Sequence, residues 1–181
     1  NIFESDMANG AYIVTSSIYN IIENNTITSG GANGDYGIYL LYSSNGNIIR
    51  NNNITAGDHG VMIYSCSDNI IENNNITVVN TGVEGHYAIY LYLYSNDNII
   101  KNNTIRSYSD HNMRIYASLN NIIVNNTICY GDEYGIYMVE GSEGNIIKEN
   151  NICNNTDDGI YISDSNDNQI ISNNISGNTD G

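Results

Sequence analysis

Apolar and polar positions alternate at period two in two short units that recur along the whole chain, and neither unit is long enough for a helix. The first, N-x-I-x-x-N-x-I, occurs seven times: Asn20 to Ile27, Asn47 to Ile54, Asn69 to Ile76, Asn98 to Ile105, Asn121 to Ile128, Asn145 to Ile152 and Asn168 to Ile175. Its first inward Ile falls at 22, 49, 71, 100, 123, 147 and 170, so the period runs 27, 22, 29, 23, 24 and 23 residues. The second unit, of the form G-I-Y-L, begins nine or ten residues before each of these, as in Gly37-Ile38-Tyr39-Leu40 and Gly135-Ile136-Tyr137-Met138. Two or three short strands per repeat, with the variation in length confined to loops, predict one coil of a solenoid per repeat. Successive coils then stack as parallel strands roughly 4.8 Å apart.

Such a stack places like residues above like residues. The Ile, Val, Leu and Met positions face inward. The second fixed Asn of each N-x-I-x-x-N-x-I unit (Asn25, Asn52, Asn74, Asn103, Asn126, Asn150 and Asn173) falls where the coil must turn. An amide there can hydrogen-bond the coils above and below, so a ladder of Asn side chains satisfies the polar groups of a buried corner.

The N-I-I-x-N-N-x-I and G-I-Y-L units resemble right-handed parallel β-helix repeats of the kind found in the carbohydrate-binding and sugar-hydrolase domain and in NosD-like periplasmic proteins. They are also similar to repeats of Asn-rich surface proteins of methanogenic archaea. The resemblance covers essentially the whole chain and implies an all-β fold, a right-handed parallel β-helix of about seven coils with 22–29 residues each. The matching residues are structural ones, so the resemblance speaks to fold rather than to chemistry.

Residues 1–181 read as a single β-helix domain. Asn1-Ile2 aligns with Asn53-Ile54, the close of a coil, and Thr179-Asp180-Gly181 with Asp157-Asp158-Gly159, the start of the next strand. This predicts a segment of a longer repeat array, or a subunit that stacks end to end on copies of itself.

Composition sharpens the picture. The chain holds 35 Asn and 31 Ile among 181 residues, with no Pro and no Trp, far from ordinary globular usage. Five basic against 20 acidic residues give a formal charge of -15, which repels phosphate backbones and excludes a nucleic-acid partner. No run of 18 apolar residues exists to span a membrane. The three Cys match no metal-ligand spacing. Cys129 and Cys153 occupy the same position in adjacent coils, with Cα atoms expected about 5 Å apart, within disulfide range. Cys66 is left free in a turn.

Candidate chemistry is read down columns. The outward residue of the G-I-Y-L unit runs Tyr12, Tyr39, Met62, Tyr90, Arg114, Tyr137 and Tyr161. Of these, Tyr39, Tyr90, Arg114, Tyr137 and Tyr161 form a candidate carbohydrate-binding strip, since a phenol offers an apolar face and a hydroxyl to a sugar ring. The same Tyr residues equally suit an exposed strand with cross-strand neighbours. Two residues before the Gly lies an acidic column, Asp35, Asp58, Asp110, Glu133 and Asp157, with His86 between them. These carboxylates could cap loop amides, hold Ca²⁺ between coils, or provide the paired acids of a glycosidase. Calcium is thus the one cofactor the pattern suggests. Beside this column run Tyr36, His59, Tyr87, His111, Tyr134 and Asp158, expected as a solvated ladder of aromatics and imidazoles. A His beside carboxylates is also a general base or a transition-metal ligand in principle. His59 and His111 lie two coils apart, too far to share one ion. Seven N-x-[ST] triplets, at Asn24, Asn53, Asn75, Asn102, Asn125, Asn154 and Asn174, are glycan acceptors if the chain is exported.

Regular coils without a convergent catalytic cluster point to a structural or adhesive surface module, a rigid extracellular spacer whose partners are cell-surface polysaccharide or its own copies. The alternatives are a polysaccharide-binding module using the Tyr strip, and a polysaccharide lyase or glycoside hydrolase using the acidic column. The scattered Arg and Lys residues weigh against the enzyme.

Overall fold

The computed structural model describes residues 1–5, 8–30, 34–79 and 85–179. Its strands form three sheets of eight, seven and seven members, and every pairing is parallel. Each coil gives one strand to each sheet, so neighbours within a sheet come from successive coils of a solenoid with about seven turns. No described residue is helical. The first sheet runs from Ile2–Ser5 to Asn174–Ser176 and carries the last Ile of each Asn unit. The second, from Ala11–Val14 to Ile160–Ile162, carries the G-I-Y-L units. The third, from Ile21–Glu23 to Gln169–Ile171, carries the first Ile pair of each Asn unit.

Register explains the repeat. Ile54, Ile76, Ile105, Ile128 and Ile152 are Cα partners down the first sheet, and Ile49, Ile71, Ile100, Ile123 and Ile147 down the third. All are fully or almost fully buried. Each such side chain contributes roughly 1.5–3 kcal/mol of burial, which is why the inward columns are so uniform. On the second sheet the residues on either side of the Tyr position point inward, for example Ile89 and Leu91, leaving Tyr90 on the outer face.

The turn between the third and first sheets uses two adjacent residues. Asn24, Asn51, Asn73, Asn102 and Asn125 take the left-handed backbone with φ of 55–57°, a region Asn tolerates better than most residues. The next Asn turns inward and forms the expected ladder: the Nδ2 atoms of Asn25, Asn52, Asn74, Asn103, Asn126 and Asn150 donate to the Oδ1 of the next coil's Asn, ending at Asn173. A second ladder, not anticipated, is built from the first Asn of each unit. The backbone amides of Asn20, Asn47, Asn69, Asn98, Asn121 and Asn145 each donate to the Oδ1 of the following one, ending at Asn168. A shorter third series links Asn112, Asn155 and Asn178.

One expected alignment needs correction. Phe3 pairs with Ile27 and Ile2 with Thr26, so Phe3 rather than Ile2 enters the Ile column. Two adjacent apolar residues fit either register by pattern, and the backbone hydrogen bond from Thr26 to Asn1 fixes the choice. The longer excursions at 29–36 and 78–87 lie partly, and Asp180-Gly181 wholly, outside the described residues.

Candidate functional site

The outer face of the second sheet and the turn that precedes it carry the chemistry. Side chains at one position recur every coil, so parallel stacking forces their rings to within contact distance. Three aromatic columns result. The Tyr column expected from sequence has stacked pairs Tyr12 with Tyr39, centroids 5.3 Å apart, and Tyr137 with Tyr161 at 5.2 Å. In the turn column His59 stacks between Tyr36 at 5.2 Å and Tyr87 at 5.1 Å, and His111 stacks on Tyr87 at 5.3 Å. A third column, Tyr42, Tyr64, Tyr92 and Tyr116, runs beside them with centroids 5.0–5.4 Å apart. It was not anticipated, although its signal, a Tyr as the last residue of three of these strands, is present in the sequence.

The columns interlock edge to face, as between Tyr87 and Tyr90 at 5.0 Å. Tyr87, Tyr90 and Met62 are thereby buried, whereas Tyr39 and Tyr137 are half-buried and Tyr12 and Tyr161 exposed. Arg114 sits in the middle. Its Nη1 donates to the Tyr87 hydroxyl at 2.6 Å, and its guanidinium lies 5.3–5.5 Å from the rings of Tyr87, Tyr90, Tyr116 and Tyr137. Burial pushes the phenols of Tyr39, Tyr87 and Tyr90 up. Burial and the Asp157 carboxylate push Tyr134 up to about 12. These hydroxyls remain protonated donors at neutral pH.

The imidazoles are not solvated as expected. His59, His86 and His111 are all buried, because rings and loop segments of the adjacent coils cover them. His59 Nδ1 accepts the Tyr87 amide at 3.0 Å, and burial holds its pKa down to about 3. Its surroundings are Asp58 at 3.3 Å, His86, and the more distant charges of Arg114 and Asp110.

The acidic column does not behave as one unit. Asp58 accepts the Gly34 amide and Asp110 the Gly85 amide, so both tie loop backbone to the following coil. Burial raises the Asp58 carboxyl despite that bond. For Asp110 burial would do the same, but the adjacent His111 outweighs it and the carboxyl is lowered. Asp35 is buried, and Asp157 accepts the Asp158 amide at 3.0 Å. Only Asp110 and Glu133 of the five are drawn into a common group, and His111 completes it: one ligand atom from each lies within 4.8 Å of the others.

The His59 geometry gives a sign for pH dependence. A folded-state pKa near 3 against about 6.5 in the unfolded chain means the unfolded state binds the extra proton. Stability is full above pH ~6.5 and falls as the pH is lowered toward 3. His59→Asn keeps an acceptor for the next coil's amide, the role Asn9 Oδ1 plays for the Tyr36 amide at 2.9 Å. The variant is expected to flatten the acid limb of urea-midpoint against pH between 6.5 and about 3, and an unchanged limb would remove His59 as its source.

The first sheet carries Cys129 and Cys153 as register partners, and they form a disulfide with Cα atoms 4.6 Å apart. Cys66 is free and buried, its thiol pushed up to about 11 by burial.

The sequence matches the family described as periplasmic copper-binding protein (NosD) over residues 77–181 and the right-handed β-helix region family over residues 1–107. Among curated proteins no sequence matches. In fold the chain is similar to the crystal structure of the periplasmic alginate epimerase AlgG, with a TM-score of 0.85 and 16% identity over 97% of this chain. A mutant of that epimerase gives 0.83 and 18% identity over 96% of the chain. In both cases the chain spans 44% of the epimerase's length, and at this identity the likeness is one of fold.

Proposed function

We propose that this chain, which belongs to the NosD and right-handed β-helix families, is a rigid β-helical module that works outside the cytoplasm and binds polysaccharide along the outer face of its second sheet. The observation that carries the reading is the triple aromatic pavement with Arg114 at its centre. The ring faces are stacked on one another, and the phenol edges and hydroxyls that recur at coil spacing on the half-buried and exposed members suit a linear chain of sugar units. The protonated hydroxyls and the guanidinium supply donors to sugar oxygens. A sugar polymer is also the class of molecule named for the alginate epimerase that shares the fold. The disulfide and the periplasmic description of the NosD family support the location. Binding is favoured over turnover because the buried phenols and His59 are held in their neutral forms, away from the near-neutral pKa a proton-transfer group needs.

The test is retention on immobilised polysaccharides, acidic and neutral. Tyr39→Ala combined with Tyr137→Ala is expected to abolish retention while the far-ultraviolet circular dichroism stays that of the parent, since both side chains lie outside the core. Retention equal to the parent would overturn the reading.

The coil stack alone favours a second reading, a stiff spacer of a surface structure that assembles end to end. Three continuous parallel sheets resist bending, and the acidic surface keeps neighbouring stacks apart. Electron microscopy of native material distinguishes them, since filaments or spikes favour the spacer.

A further inference from the structure

We infer that the cleft around Arg106, on the outer face of the first sheet, binds the carboxylate of a small organic acid with a flat apolar body. The reason begins with the column that Arg106 interrupts. Its register partner in the preceding coil is Thr77, and Cys129 holds the same position in the next coil, so one long side chain stands between two short ones. A cavity of about 280 Å³ results, walled by Thr77, Thr104, Thr127 and Cys129 together with Tyr108 and Tyr130. Small-molecule sites begin at roughly 300 Å³, so this one suits a single ring and its substituents.

The charge selects the ligand. Other cations of this acidic chain are matched within the stack: Arg50 meets Glu23 at 2.7 Å, Lys101 meets Glu72 at 3.0 Å, and Arg114 donates to the Tyr87 hydroxyl. Among the described residues Arg106 meets no carboxylate, only rings. Its guanidinium carbon lies 3.8 Å from the centroid of Tyr108 and 5.0 Å from that of Tyr130, and its Nε is buried without a hydrogen-bond partner. A buried donor without an acceptor, on a cation without a counter-charge, is costly, and an oxyanion relieves both costs. A planar carboxylate matches the guanidinium fork with two parallel hydrogen bonds. No acidic side chain lines this cavity. Asp132 belongs to a neighbouring one of about 270 Å³ that shares Arg106, Tyr108 and Tyr130, so the anion is placed in the first.

The remaining walls choose the body of the ligand. The Tyr108 amide donates to Val78 O of the preceding coil at 3.1 Å and the Tyr130 amide to Cys153 O of the next at 3.0 Å, so both rings hang from fixed backbone. The disulfide to Cys153 holds Cys129 in place. Ring faces, threonine methyl groups and sulfur give a flat ring its dispersion contacts. Tyr130 is 54% exposed and lies farther from the guanidinium than Tyr108, so it is the ring that swings aside to open Nε.

The site shares no residue with the aromatic face of the second sheet and does not depend on the polysaccharide reading. Benzoate titrated into the whole chain is expected to bind one molecule per chain by calorimetry. It should shift the amide resonances of Thr77, Arg106 and Tyr130 and leave those of Tyr90 and Tyr137 in place. Benzamide, the uncharged isostere, should bind at least tenfold more weakly, and so should sulfate, which carries charge without a ring. Both comparisons are made on the parent and need no variant. Arg106→Gln is expected to abolish binding, and Arg106→Lys, which keeps the charge but loses the fork, to weaken it at least tenfold. Lys148→Gln removes the same charge from the third sheet and should leave the affinity unchanged. Parity of benzamide or sulfate with benzoate, full affinity in Arg106→Gln, an equal loss in Lys148→Gln, or no binding of benzoate by the parent would overturn the assignment.

Discussion

Asn103→Ala is expected to lower the unfolding free energy by about 4 kcal/mol or more, among the largest effects any single substitution in this chain could have. Asn103 Oδ1 accepts both the backbone amide and the Nδ2 of Asn74, at 2.8 and 3.0 Å, and its Nδ2 donates to Ile71 O at 2.9 Å and to Asn126 Oδ1 at 3.1 Å. Alanine removes two accepted and two donated bonds at a corner where Asn74, Asn103 and Asn126 are all buried. The stranded groups are the Asn74 amide, one Asn74 Nδ2 proton and the Ile71 carbonyl, each costing about 1–3 kcal/mol when left dry, and the lost side chain adds a void. Asn53→Ala, on an exposed outward position of the adjoining strand, should cost under about 1 kcal/mol by comparison. Urea denaturation of both variants decides the point. A loss below 1 kcal/mol for Asn103→Ala would mean that the corner is wet and that the ladder is decoration.

That corner also shows what sequence could and could not convey. The ladder from Asn25 to Asn173 was readable because one residue type recurs in every coil at the place where the chain must turn. The second ladder recurs just as strictly from Asn20 to Asn168, but it opens the unit instead of closing it. Its role emerges only when backbone amides are seen to point along the stack. The aromatic face was half legible. Tyr39, Tyr90 and Tyr137 follow from the alternation of one strand, whereas Tyr64, Tyr92 and Tyr116 sit at the strand end, where alternation gives no firm direction.

Burial of the turn column was not legible at all. His59, Tyr87 and His111 lie in loop-like sequence, and their exclusion from water depends on face-to-face stacking between coils. The same stacking split the acidic column. Burial and loop amides make Asp58 and Asp110 backbone anchors, and only the imidazole of His111 converts Asp110 and Glu133 into a common group. Columns therefore predict adjacency well and chemistry poorly, because the solvent exposure of a column depends on what its neighbours do.

The second large effect concerns the one covalent tie between coils. Replacing Cys129 and Cys153 together by Ser is expected to cost about 3 kcal/mol, the chain-entropy value for a loop spanning one coil. The sequence separation of 24 residues matches the repeat, so the bond clamps two adjacent coils at a register position already set by the sheet. Serine is accommodated there, since Thr55, Thr77 and Ser176 fill the same column in other coils. The loss should therefore report the cross-link and not the side chain. In a stack where each coil touches only its neighbours, the effect is local. Hydrogen exchange should quicken in the coils around residues 127–153 and leave the Ile49 to Ile71 layers nearly unchanged. Reducing the parent with dithiothreitol should shift its urea midpoint by the same amount, while the double variant should be indifferent to reductant. Cys66 provides the internal check: buried with a thiol pushed up to about 11, it should resist alkylation until the chain unfolds. A double variant as stable as the parent would show that sheet register alone holds these coils. The bond would then matter for the compartment in which it forms, not for the strength of the stack.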